Sequence, residues 1–337
     1  MASRFCLLII PLLISSAFAQ QQPQYTQYTL NSFLINPAVA GIENYTDLRF
    51  GNRMQWTGLS GAPQTKYVSV HTAIGSNFLA DNVNSYSGNG ENPMSRSYVQ
   101  SYQAAAPHHG IGLIALSDKT GPLENTEVKL NYAYHLGLST QVNLAMGVSV
   151  GITQLSLDAS NLVFEDSSDP FFAANTYKKL SPSISLGMWL YGPRFFGGLA
   201  LHQLLPSSNV FLTSTTASTA KTQPQALLSA GYKVSLSEDI AAFPSVLVNY
   251  MGKNTGIGTD ANLKLAFKDK FWIGGGYRRG DSFSATAGFT LSYLLNVGYS
   301  YDFTTSRLNT VSNGSHEIVV GILLNNRYRV NCPQMNW

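Results

Sequence analysis

The stretch EVKLNYAYHLGL, residues 127–138, sets Glu127, Lys129, Asn131 and His135 at alternate positions, with Val128, Leu130, Tyr132, Tyr134, Leu136 and Leu138 between them. On a helix, a two-residue period would scatter the apolar groups around the whole circumference. On a strand it gathers them on one face and leaves the polar groups on the other. The stretch therefore reads as a strand with one oily face and one wet face. Whether the oily face meets a protein core or a lipid bilayer has to be decided from the rest of the chain.

Composition favours lipid. Only 12% of the 337 residues are charged, about half the usual share of a soluble domain. A soluble protein this poor in charge would struggle to cover its surface with polar groups, whereas a surface facing hydrocarbon needs none. The N-terminus reads as a secretory signal: Arg4 is a brief positive region, Phe5 to Ile14 is apolar, and Ala17-Phe18-Ala19 fits the small-x-small cleavage rule. The apolar run is too short to span a bilayer. Cleavage would make Gln20 the first residue and remove Cys6. No cysteine follows the cleavage point to carry a lipid anchor, and Cys332 is left without an internal disulfide partner. Without Arg4 there are 20 basic and 18 acidic residues, too even and too dispersed a balance to argue for nucleic acid. No later apolar run reaches the roughly 18 residues a spanning helix needs. An exported chain with few charges and many two-faced strands is what an outer-membrane barrel looks like.

The alternation recurs. NLAMGVSVGI (143–152), ANLKLAFK (261–268), LNVGYSYDF (295–303) and HEIVVGILL (316–324) all carry it. Strands are expected near 45–56, 65–74, 110–117, 125–138, 141–156, 180–191, 194–203, 225–236, 240–251, 260–268, 270–278, 283–291, 294–303 and 316–325. They number about fourteen, an even count as bacterial barrels require. Short connections such as Ser139-Thr140 and Gly192-Pro193 alternate with longer ones, including Gly58 to Gln64, Asp118 to Glu124 and Leu157 to Lys179. Tight periplasmic turns and longer outer loops follow that rule, which would put both termini in the periplasm. Residues 75–109 break the pattern, either as a periplasmic insertion or as an extra hairpin near 77–103 that would raise the count to sixteen. Aromatics near strand ends, Trp56, Trp189, Tyr191, Phe195, Tyr250, Phe271, Trp272, Tyr301 and Phe303, suggest an interfacial girdle.

QYTQYTLNSFLINPAVAG followed by GNRMQWTGLSGAPQTKYVSVHTAIG, within residues 24–75, resembles the opening of the PorP/SprF family of type IX secretion outer-membrane proteins. The family pattern falls on Gln27-Tyr28, Asn36-Pro37-Ala38, Gly41, Gln55-Trp56 and Gly61-Ala62-Pro63. GIGLIALSDKTGPL, LNYAYHLGLS, KDKFWIGGGYR and VGYSYDFTTSRL…NGSHEIVVGI extend the likeness over nearly the whole mature chain, and Cys332-Pro333 also fits. Val39 stands where an aromatic is expected. The resemblance implies an all-β transmembrane barrel with no enzyme activity and no cofactor. It implies export, surface display or anchoring of an adhesin-type substrate with a C-terminal secretion signal, and association with periplasmic ring and lipoprotein components of the secretion and gliding machinery.

The expected organisation is a signal peptide at 1–19, a periplasmic or plug-like segment at 20–44, a barrel at 45–326 in outer-membrane lipid, and a periplasmic tail at 327–337. Candidate interaction positions are Asn36, Pro37, Gly41, Gln55, Trp56, Gly61, Pro63, Ser315, His316 and Glu317. Asn36-Pro37 either fixes a lumen segment or makes a plain turn. The glycines and proline of 58–63 shape the first outer loop, which touches substrate or merely closes a hairpin. His108-His109 and Glu165, Asp166 and Asp169 match no metal-ligand spacing. His316 and Glu317 are adjacent on a strand and point to opposite faces, so they cannot serve one nucleophile. The rivals are a channel for small or hydrophobic solutes, a soluble exported β-protein and, weakest, an esterase or protease.

Overall fold

The computed structural model describes residues 25–75, 104–160, 176–205, 223–251, 257–268, 270–292 and 294–326. Among these, fourteen strands close into one antiparallel ring. They are β1 (Thr46–Met54), β2 (Gln64–Ile74), β3 (His108–Thr120), β4 (Leu123–Gly137), β5 (Asn143–Asp158), β6 (Thr176–Tyr191) and β7 (Phe195–His202). There follow β8 (Gln225–Tyr232, resuming at Val234–Ser235), β9 (Ile240–Tyr250), β10 (Ile257–Phe267), β11 (Phe271–Arg278), β12 (Ser282–Ser292), β13 (Leu295–Thr304) and β14 (Ser315–Leu324). Each strand pairs with its sequence neighbours. β14 pairs back onto β1, from Thr46↔Leu324 to Met54↔His316. A closed ring leaves no unpaired edge, the condition a sheet must meet in hydrocarbon.

β2 pairs directly with β3 from Gln64↔Lys119 to Ile74↔His109, so the wall has no place for an extra hairpin between them. Residues 76–103 lie outside the described residues, as do the expected signal peptide, residues 161–175 with Glu165, Asp166 and Asp169, and the tail from 327 on. One expected outer loop is shorter than its sequence suggests. β3 and β4 run on to Thr120 and Leu123 and turn through Gly121-Pro122 alone, with Gly121 at φ +57°. On β3 the paired backbone extends past the last apolar side chain, Leu116, to Thr120, which pairs with Leu123 of β4.

The two faces of residues 127–138 are now placed. Leu130 is 67% exposed on the outer wall, with Val128, Tyr132, Tyr134, Leu136 and Leu138, while Asn131 and His135 are buried in the lumen and Glu127 and Lys129 line it. The same division holds on β5, where Met146, Val150 and Ile152 face out, and on β12, where Phe283, Phe289 and Leu291 do. Such an apolar exterior suits lipid. The aromatic girdle is corrected in part. Trp189, Tyr191 and Trp272 point inward, because their strand parity is opposite to that of Met188 and Ile273. Trp189 stacks on Phe196 at 4.9 Å, and with Phe243 and Trp272 they fill one side of the lower lumen.

Candidate functional site

The site lies inside the barrel. The lumen runs between a loop rim, which carries the connections after odd-numbered strands, and a turn rim, where β1 starts and β14 ends. Residues 25–45 pair with no wall strand. They descend through the lumen between the two rims and form the short 3-10 turns Ser32–Leu34 and Pro37–Val39.

At the upper end, Thr26 is pinned by a buried ionic group. Arg53 on β1 pairs with Asp302 on β13 at 2.7 Å and Glu317 on β14 at 3.1 Å. Thr26 donates its N–H to Glu317 at 2.8 Å and its hydroxyl to Asp302 at 2.7 Å. Gln27 donates to the Glu317 carbonyl at 2.9 Å. Tyr28 accepts from Asn262 at 2.8 Å.

Farther down, Asn31 donates to Ser69 at 2.9 Å, and Asn36 holds both itself and the wall. Its Oδ1 accepts from Ala38 N–H at 3.0 Å, which caps the turn at a proline whose φ is already helical. Its Nδ2 donates to the carbonyls of Met188 and Leu199 at 2.9 and 3.1 Å, across the β6–β7 seam. Pro37, Ala38, Ala40 and Gly41 are narrow enough to lie against glycines of the wall. A Cβ on Gly147 would intrude on the Ala38 backbone, one on Gly187 on the Asn36 side chain, and one on Gly110 on the Ala40 carbonyl.

Wall histidines hold the backbone of this segment. His202 Nε2 donates to the Ile35 carbonyl at 2.9 Å and His135 Nε2 to the Ala40 carbonyl at 2.8 Å. His108 Nε2 donates to the Gly41 carbonyl at 3.1 Å, and Gly41 N–H donates to His71 Nδ1 at 3.3 Å. The rings of His108 and His135 stack at 4.5 Å.

Above the plug lies a vestibule of about 690 Å³. Its floor is apolar, with Leu34, Ile35, Leu227 and Leu247 beside Tyr25 and Tyr28. Its walls carry two sets of paired charges. Lys129 meets Glu127 at 2.8 Å, and hydroxyls of Thr153 and Ser183 donate to Glu127 at 3.2 Å each. Across the ring, Arg278 meets Asp260 at 3.1 Å and Asp281 at 3.5 Å, and donates to the Tyr25 carbonyl at 3.3 Å. These last contacts put Tyr25 at the vestibule, on the loop-rim side.

Eight of the ten candidate positions fall into two groups. Asn36, Pro37 and Gly41 form the plug. Gln55, Trp56, Gly61, Pro63 and Ser315 meet at the loop rim, where Gln55 N–H donates to Pro63 O at 2.9 Å and Trp56 N–H to Ser315 Oγ at 3.1 Å. Gln55 and Pro63 also line the vestibule. Trp56 holds φ +46°, a conformation that costs of order 1 kcal/mol away from glycine. Its neighbour Thr57 is clamped to the next loop, donating to Gly314 O at 2.8 Å and accepting from Asn313 at 2.7 Å. Glu317 faces inward at 0% exposure, and His316 faces outward against the Tyr299 hydroxyl at 2.8 Å. The residues that sequence reasoning passed over are the inward histidines His71, His135 and His202. For His71 and His135 the signal was parity, since each shares its face with polar residues such as Ser69 and Asn131; His202 shares its face with Phe196, Gly198 and Ala200, and parity alone gave no such sign.

A closed barrel with an apolar outer wall and an internal plug defines an integral outer-membrane protein. The model of the type IX secretion system membrane protein PorP/SprF family matches residues 17–322, and the chain belongs to that family. It is thus an outer-membrane component of the type IX secretion system, and family and fold are those of a secretion membrane protein rather than an enzyme. Among solved structures, the chain is similar to the Ralstonia pickettii toluene transporter TbuX (TM-score 0.50, 8% identity, covering 87% of this chain and 93% of that one). It is also similar to the Acinetobacter baumannii outer membrane protein Omp33 (TM-score 0.47, 6% identity, 84% and 100% covered). Identities this low speak to the fold alone. No curated protein matches the sequence significantly.

Proposed function

We propose that the protein supports export, surface display or anchoring of one cognate adhesin-type substrate, by receiving a segment of that substrate's C-terminal region in the vestibule. The observation that carries this is the lumen itself: among the described residues, an amphipathic cavity of about 690 Å³ at the loop rim, filled by the chain's own polypeptide beneath. A dead-end cup suits holding a segment better than it suits diffusion. The tight turns support a periplasmic position for the turn rim, and so for the C-terminal end, where the ring and lipoprotein components of the secretion and gliding machinery would dock. Because Tyr25 lies on the loop-rim side, the proposal for orientation covers the C-terminal end only.

The test is deletion of the gene followed by surface proteomics, with affinity purification from detergent-solubilised membranes. One exported protein should be trapped or unstable in the mutant and should copurify with the barrel. Unchanged display of every exported adhesin would sink the proposal. A second reading, a channel for small or hydrophobic solutes, is favoured by the apolar vestibule floor. Steady solute-selective conductance of the purified protein in planar bilayers would support that reading; a sealed lumen supports the secretion role.

A further inference from the structure

We propose that the lower lumen is a groove for uncharged polypeptide, that residues 35–41 are its resident ligand, and that this ligand leaves and returns, so that the plug is a gate. The identity of the exported protein has no bearing on this gate.

Three observations point to it. First, the groove reads backbone. The four inward histidines, His71, His108, His135 and His202, all bond main-chain groups of the plug, while His109 and His316 face outward onto tyrosine hydroxyls. Bonds to backbone are indifferent to sequence and can be broken and remade. Second, withdrawal uncovers no bare ion. Residues 35–41, the part that moves, carry no charge; the one charge of the luminal segment, Glu43, lies beyond them toward the β1 tether. Arg49, which bonds the Leu30 carbonyl, is held by Asp47 at 2.9 Å, and Arg53, which bonds the Thr26 hydroxyl, is held by Asp302 and Glu317. Leaving a buried charge unpaired is the step that would make removal prohibitive, and this arrangement avoids it. Third, the fit depends on absent methyl groups. The plug lies against Gly110, Gly147 and Gly187, so a small change in the wall suffices to unseat it. The segment is tethered at Thr26 by the ionic group and at Thr46 by β1, and the nearest free volume is the vestibule of about 690 Å³ above it.

The experiment uses the mature full chain with Cys332→Ser and Val39→Cys, folded in detergent and checked by its heat-modifiable gel mobility. Labelling of the thiol introduced by Val39→Cys with a membrane-impermeant maleimide reports withdrawal. The folded barrel should label far faster than it unfolds. His135→Ala or His202→Ala should each raise the rate about five-fold, the effect of losing one ordinary hydrogen bond. Gly187→Ala, which places a methyl in the Asn36 seat, should raise it further and give a steady conductance in planar bilayers. A synthetic peptide LNSFLINPAVAG, residues 30–41, should block that conductance. Labelling at the rate of global unfolding, unmoved by the histidine changes, would overturn the proposal. So would a folded Gly187→Ala barrel that stays sealed. If Gly187→Ala yields no folded band, the histidine variants alone decide.

Discussion

The lower and upper halves of the lumen are lined by the same alternating strands, yet they spend their polar residues differently. Below, wall histidines reach a foreign segment of backbone, Asn36 of that segment reaches back to wall carbonyls, and the wall gives up side chains altogether at Gly147 and Gly187 to let it in. Above, Glu127 and Lys129 satisfy each other, as do Asp260 and Arg278, around a space left open. Buried polar groups must find partners wherever they are. One half finds them in polypeptide and becomes a closure; the other finds them within the wall and remains a cavity. A barrel thus sets where it is shut and where it is open by where its inward polar groups find partners, without any change in strand geometry.

The sharpest way to break this contrast is at the ionic group that joins the halves. Arg53→Ala leaves Asp302 and Glu317 buried without their cation, and should cost about 3–5 kcal/mol, measured by denaturant unfolding in detergent. A smaller loss there would mean that water reaches the upper plug. Next, Leu130→Arg places a charge on the lipid face near mid-strand and should cost about 2–4 kcal/mol, whichever half of the lumen lies behind it. If it were neutral, the outer wall would not be in hydrocarbon. Asn36→Ala removes a cap and two bonds to the wall, worth about 1–3 kcal/mol, and should speed amide hydrogen exchange of residues 35–41 while leaving the wall strands protected. Equal acceleration in β6 and β7 would make the plug part of the wall. Least costly is Lys129→Gln, expected within about 1 kcal/mol of the parent because Gln keeps a donor beside Glu127 and the Thr153 and Ser183 hydroxyls still donate to it. Its effect should appear instead as reduced copurification of the exported substrate.

Much of the wall was legible in sequence because a strand writes its two faces into every second residue. EVKLNYAYHLGL alone separates the lipid-facing Leu130 from the lumen-facing His135. The strand count follows from the same arithmetic. What could not be read is which lumen residues meet. His71, His108, His135 and His202 lie on four strands and converge only through register and ring closure, and no local motif marks them. The sequence left Asn36-Pro37 as a lumen anchor or a plain turn, because its seat is made by Gly147 and Gly187, more than a hundred residues away. Trp189 and Tyr191 were misplaced in a girdle because nearness to a strand end was weighed ahead of parity.

The ionic group also bears on how the molecule is made. Arg53 comes from the first strand, Glu317 from the last and Asp302 from the one before it, so the contact straddles the seam where the ring shuts. Thr26 has no berth until that seam is zipped. Insertion of the final strand therefore does two jobs at once, completing the cylinder and seating its stopper, and a chain cut short before residue 317 would forfeit both.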